Sequence, residues 1–181
     1  MEQDPILSLP SPIRAFVKGV ETLNRKIGRF AMYLVFVMIG ILLYSSISKT
    51  FFYPSLWTLE MAQFVMVAFY MLGGPYSMQL QSHVRMDLVY GNWSLRKKAM
   101  IDSITVIMLF VYLGVLLYGG ISSTSYAVEY GERSYSAWRP YMAPIKIIMC
   151  VSVFLMLLQA IAVWIRDIAT VIYGSETEAN S

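Results

Sequence analysis

Apolar residues fall along this chain in four long runs separated by polar connections. Phe30 to Ile47 is the first and Leu59 to Met78 the second, interrupted by Glu60 and Gln63. Ile101 to Ile121 and Ile145 to Ile165 are the third and fourth. With its ends each run is roughly 18–25 residues long, enough at about 1.5 Å per residue to cross a hydrocarbon core of ~30 Å. The pattern predicts an all-α integral membrane protein with four transmembrane helices. The first run starts well inside the chain with no small-residue cleavage pattern after it, so it reads as a span and not as a signal peptide.

A different periodicity precedes the first run. Ile13, Phe16, Val17, Val20, Leu23 and Ile27 recur on one helical face, with Arg14, Lys18, Arg25 and Lys26 mainly off it. A basic amphipathic helix in front of a span is expected to lie flat in the membrane interface; packing on a cytosolic partner is the alternative. Residues 1–12, with three prolines, are expected to be irregular, and the tail from Gly174 to Ser181 disordered. The expected organisation is a cytoplasmic arm with its amphipathic helix (1–29), a four-helix transmembrane bundle (30–167) and a cytoplasmic tail (168–181).

Inside the runs, polar and small residues recur about every seven positions. The second run reads Glu60, Gln63, Val67, Tyr70, Gly74, Ser77, Gln81. The third reads Asp102, Thr105, Leu109, Tyr112, Leu116, Gly119, Ser123; the fourth carries Ser152, Gln159 and Arg166; the first has Tyr33, Val37, Gly40, Tyr44 and Ser48. In lipid no hydrophobic force drives helices together, so association depends on small residues and interhelical hydrogen bonds. The stripes therefore face other helices of this chain, helices of another membrane subunit, or a substrate path. A path is the weakest of the three, because no ionisable residue lies near the bilayer midplane.

Composition agrees with a membrane location. The 181 residues are 57% hydrophobic and 14% charged, against roughly 45–50% and about 25% in soluble domains, and mean hydropathy is +0.58. The balance excludes a disordered chain and disfavours an ordinary soluble enzyme. A net charge of +3 is too small and scattered for a nucleic-acid binder. Ten of the fourteen Lys and Arg side chains lie in the N-terminal arm, in the connection between the second and third runs, or at Arg166; Lys49, Arg133, Arg139 and Lys146 lie on the other side. The asymmetry places both termini in the cytoplasm.

Candidate chemistry is sparse. Cys150 is the single cysteine and His83 the single histidine, which excludes a Cys-based zinc site, bis-histidine haem ligation and a His-cluster metal site. No nucleotide-binding loop, nucleophile elbow or metal-ligand cluster is present. Glu60 falls in the first turns of the second helix, where the helix dipole favours a carboxylate; it could instead fix a partner or pair with Lys49 or Lys146. Gly73-Gly74-Pro75-Tyr76 permits close helix approach and a proline kink. His83, Arg85 and Asp87, two apart, sit just outside the membrane, placed to pair with one another, with lipid headgroups or with a neighbour. The loop from Ser122 to Met142 mixes aromatics with both charges, which suits a membrane interface and equally a protein-docking surface.

Several of these segments, taken in order, carry a resemblance: Trp57-Thr58-Leu59-Glu60, Gly73-Gly74-Pro75-Tyr76, His83-Val84-Arg85-Met86-Asp87-Leu88, Gly131-Glu132-Arg133-Ser134, Ser136-Ala137-Trp138-Arg139-Pro140 and Pro144-Ile145-Lys146. From about Arg25 to Asp167 the chain resembles the small membrane subunit, the DctQ type, of tripartite ATP-independent periplasmic (TRAP) transporters. The resemblance implies a hetero-dimer with a large membrane subunit that carries the substrate and sodium sites and moves by an elevator-like mechanism. A periplasmic substrate-binding protein delivers the substrate, usually an organic acid. The small subunit is then a fixed scaffold in the bacterial inner membrane, multi-pass, with no catalytic residue, cofactor or metal of its own. Glu60, Gln63, Tyr70, Gly74, Tyr76, His83, Arg85 and Asp87 are the candidate subunit-interface or family-motif residues. Glu132, Arg133, Trp138, Arg139 and Lys146 are the candidate periplasmic docking residues. Membrane lipids are expected as further partners. The alternative function is a self-sufficient small homodimeric exporter built around Glu60.

Overall fold

A computed structural model describes the backbone of residues 10–80 and 95–178 and the side chains of residues 10–80 and 106–169. Four helices follow one another: α1 (Ser11–Phe51), α2 (Thr58–Gln79), α3 (Leu95–Glu129) and α4 (Ala143–Glu178). Three are long and apolar enough to cross a membrane: α1, α3 over Val106–Glu129, and α4 over Ala143–Ala169. α2, diluted by Glu60, Gln63 and a run of small residues, does not reach that apolarity although it is 22 residues long.

No break separates the arm from the first apolar run. α1 runs unbroken for 41 residues from Ser11 to Phe51, straight through the expected boundary at residues 29 and 30. Pro12 sits in its first turn, where a missing N–H costs nothing. The apolar face read from the sequence is real, but only part of it is covered. Val17 and Val20 are buried against Ala162 of α4, flanked by Leu158 and Ile165, while Ile13, Phe16 and Leu23 stay exposed. The inner side of the arm thus packs on α4. The tail is likewise more regular than expected: α4 extends to Glu178, because a single glycine at 174 costs a helix only about 1 kcal/mol.

α4 is the centre of the bundle. About 33% of its apolar segment is buried, against 11% for α1 and for α3. It packs against all three other helices. Leu113 of α3 is buried with Val153 and Ala160 of α4, and Met78 of α2 closes over that cluster. Phe110 meets Trp164 edge-on at 5.9 Å. At one end of the bundle Asn24 Nδ2 donates to Gln159 Oε1 at 2.7 Å, with both residues buried. Beside that pair Arg166 forms an ion pair with Glu21. The N-terminal part of α1 and the C-terminal part of α4 therefore share one end.

α1 and α2 form a hairpin. Phe52 is extended and Pro54 bars further helix. A cluster of hydroxyls then fixes the corner: Thr58 Oγ1 lies 3.0 Å from Ser45 Oγ and 2.9 Å from Ser55 Oγ. Trp57 stacks at a tilt on Tyr44, 5.7 Å between centroids. Further along the pair, Gly28 of α1 is pressed against the Tyr76 side chain of α2.

Candidate functional site

The structure sorts the four stripes into two kinds. On α4, Ser152 and Gln159 are almost wholly buried and Arg166 reaches Glu21, so this stripe serves the chain's own bundle. On α1, Tyr33, Val37, Gly40 and Tyr44 are exposed, and only Ser48 turns inward. On α3, Tyr112, Leu116, Gly119 and Ser123 are exposed; the side chains of Asp102 and Thr105 lie outside the described residues. The packed face of α3 is a different one, through Val106, Leu113 and Ala127.

α2 divides within itself. Gln63 is exposed and Tyr70 is 63% exposed. Gly74 instead looks at α4: a Cβ there would sit 3.2 Å from Met156 Sδ. Tyr76 is half-buried against Gly28. So Gln63 and Tyr70 are free for a neighbour, while Gly74 and Tyr76 are taken by internal contacts. His83, Arg85 and Asp87 lie outside the described residues. Gly28 escaped the sequence reading, since the residue that makes it necessary stands on another helix.

Glu60 is half-buried in the first turns of α2, with Oε2 enclosed and no hydrogen-bond partner. Neither base considered for it is bonded to it. Lys49 stands exposed in the last turn of α1. Lys146 pairs with Glu132 instead. The reason is the turn that ends α3. Gly131 takes a positive φ of 60°, and Glu132 N–H bonds back to the Ala127 carbonyl at 3.1 Å, the six-to-one bond of a Schellman cap. That turn delivers Glu132 to the start of α4.

The same turn organises the rest of the corner between α3 and α4. Arg133 and Tyr141 face each other across an isolated antiparallel bridge. The Arg133 guanidinium lies 4.2 Å from the centre of the Tyr141 ring and donates to its hydroxyl. Ser134 N–H bonds to the Pro140 carbonyl at 3.0 Å, and Met142 N–H to the Glu132 carbonyl at 2.9 Å. Arg139 adopts φ 52°, a strained value for a side chain of its size, and its N–H bonds to Ser136 Oγ at 3.2 Å. Trp138 is 40% exposed and Tyr135 fully so. Of the candidate docking residues, Glu132 and Lys146 form an ion pair, Glu132, Arg133 and Arg139 line one groove with Tyr126, Tyr130 and Tyr135, and Trp138 lies exposed in the same loop.

Gly131 offers a clean check, because open space surrounds it and only its backbone is demanding. Gly131→Val is expected to cost about 1–2 kcal/mol through the left-handed conformation, read as a lowered unfolding midpoint of the purified chain. Gly119→Val, also in open space but in regular helix, should leave the midpoint unchanged or raise it slightly.

Among the described residues no group of three or more His, Cys, Asp or Glu side chains could hold a metal ion. What these surfaces can do is bind helices, lipids and protein loops. No curated protein and no solved structure matches the chain. A family model does: tripartite ATP-independent periplasmic transporters, DctQ component, over residues 38–170. The match opens midway along α1, takes in all of α2, and ends inside α4. On that breadth of agreement the chain belongs to the DctQ family, the small membrane component of TRAP transporters.

Proposed function

We propose that this chain is the scaffold subunit of a sodium-coupled importer of organic acids. It would sit in the bacterial inner membrane with both termini cytoplasmic, and anchor a large elevator-type subunit that carries substrate and sodium. A periplasmic substrate-binding protein would hand over the substrate, and the folded corner at 131–146 is the surface offered to it. The observation that carries the reading is Gln63. An exposed amide in the second turn of α2 is costly against hydrocarbon but favourable against another helix. Tyr70, two turns on, continues the same outer face. The modest apolarity of α2 fits too: a fourth span held between α1, α4 and a partner has little lipid to satisfy.

Tagged protein taken from its native membrane is expected to bring a large polytopic partner with it. Gln63→Trp should weaken that association roughly 5- to 150-fold, the equivalent of about 1–3 kcal/mol of overpacking. The unfolding midpoint of the isolated chain should not move, because position 63 faces away from the bundle. A chain that purifies alone from native membranes would overturn the proposal.

A further inference from the structure

The outer face of α1 just below its apolar stretch is a cluster of cations with no counter-charge among the described residues. Thr22, Arg25, Lys26, Arg29, Phe30 and Tyr33 line one shallow groove there. Their spacing puts them on one side of the helix, three to four residues apart. Glu21 is the only acid anywhere in α1, and it points inward to Arg166. Arg25, Lys26 and Arg29 are all exposed, and no ion pair joins them to an acid among the described residues.

Length fixes where this groove lies. From Phe30 to the helix end at Phe51, α1 rises roughly 33 Å, the thickness of a hydrocarbon core with a small excess. The three cations therefore fall at headgroup depth. Phe30 and Tyr33, 61% and 63% exposed, stand at the boundary above them, where aromatic rings are favoured. Higher on the same face, the stripe continues through Val37 to Gly40, where nothing approaches within 4 Å of the position a Cβ would take. Cations, then aromatics, then an open apolar notch is the profile of a headgroup followed by its acyl chain.

We infer that the foot of α1 is a binding site for one anionic phospholipid, its phosphodiester held by Arg25, Lys26 and Arg29 and its chain laid along Tyr33, Val37 and Gly40. The inference needs the spanning orientation proposed above but not the partner subunit, so it is tested on the full chain alone. A site of this kind would pin the static helix at a set depth in the leaflet richer in anionic lipid.

The experiment measures lipid retained by the purified full chain through detergent washing, by extraction and mass spectrometry, after incubation with phosphatidylglycerol, with phosphatidylcholine or with inorganic phosphate. About one phosphatidylglycerol per chain is expected, in clear preference to phosphatidylcholine, and undisplaced by millimolar phosphate. Replacing Arg25, Lys26 and Arg29 together with glutamine should weaken retention on the order of 100-fold, three cations at the roughly fivefold each contributes near an anionic surface. Arg25→Lys with Arg29→Lys should retain the lipid, which separates loss of charge from loss of fold. Arg14→Gln with Lys18→Gln, on the same helix but outside the groove, should change retention at most a few-fold.

Equal retention of both lipids, displacement by free phosphate, or equal loss per charge in the Arg14 and Lys18 variant would each overturn the proposal. So would a glutamine triple variant that keeps its lipid but loses the large subunit, since an acidic protein segment would then be the occupant. None of these outcomes bears on whether the wild-type chain co-purifies with a large subunit.

Discussion

Gly28→Leu is expected to abolish the folded bundle, seen as loss of monodisperse protein after membrane extraction. A Cβ at position 28 would fall on the Cβ and Cγ atoms of Tyr76, the stiff root of that side chain and not its movable end. Even an alanine there forces α1 and α2 apart, at about 1–3 kcal/mol by the usual cost of overpacking. A leucine adds three more heavy atoms to the same clash. Tyr76→Ala would leave the nearest clashing atom, the Cβ, in place; Tyr76→Gly removes it, so combining Tyr76→Gly with Gly28→Ala should recover part of the lost yield. Gly74→Leu makes an instructive comparison. Its obstacle is the thioether of Met156, a flexible side chain that can swing aside. The milder outcome belongs at Gly74 and the severe one at Gly28, and equal yields for the two variants would contradict this account.

Asn24→Leu is the second substitution with a large expected effect. Asn24 and Gln159 are each about 1% exposed, and each is the other's hydrogen-bond partner. Removing one amide leaves the other buried and unpaired, at about 1–3 kcal/mol. Asn24→Leu or Gln159→Leu alone should therefore lower the unfolding midpoint. The double variant should recover most of the loss or exceed the wild type, because Asn24 Oδ1 has no hydrogen-bond partner even in the native bundle and an apolar pair has nothing to leave unsatisfied. The signature is the sign of the coupling. If the two losses simply add, the amides do not act as a pair.

These expectations show where sequence and structure part company. The bounds of α2 were plain from Pro54-Ser55 and the apolar run behind them, and the structure moves them by one residue at each end. The length of α1 was not plain. A basic amphipathic stretch reads the same whether it lies on a surface or continues a span, and what decides is the face of α4 bearing Gln159, Ala162 and Arg166 beside it. A seven-residue repeat reveals that a helix has a polar side but not which way that side turns. Hence the stripe of α4 faces inward while most of those of α1 and α3, Ser48 and Leu109 apart, face outward, from similar spacings. Lys146 was a candidate partner of Glu60 only; the left-handed turn at Gly131 brings Glu132 to it instead. Glu132, Arg133 and Arg139, which line one groove, were legible together because they are neighbours in sequence. Gly28 was hidden because its reason, Tyr76, is not.

The central place of α4 also governs how the protein can be made. α4 follows the other three helices in the chain, yet α3 packs on it and the buried amide of Asn24 waits for it. As the chain is synthesised, α1 and α2 can close their hairpin early, through the hydroxyl corner and the Gly28 contact. α3 has its Leu113 cluster, and Asn24 its mate, only after α4 has entered the membrane. A ribosome stalled before Ala143 would hold an open hairpin and a loose third helix, a state suited to quality-control proteases. The last helix to arrive is thus the step that turns three loosely joined helices into one bundle.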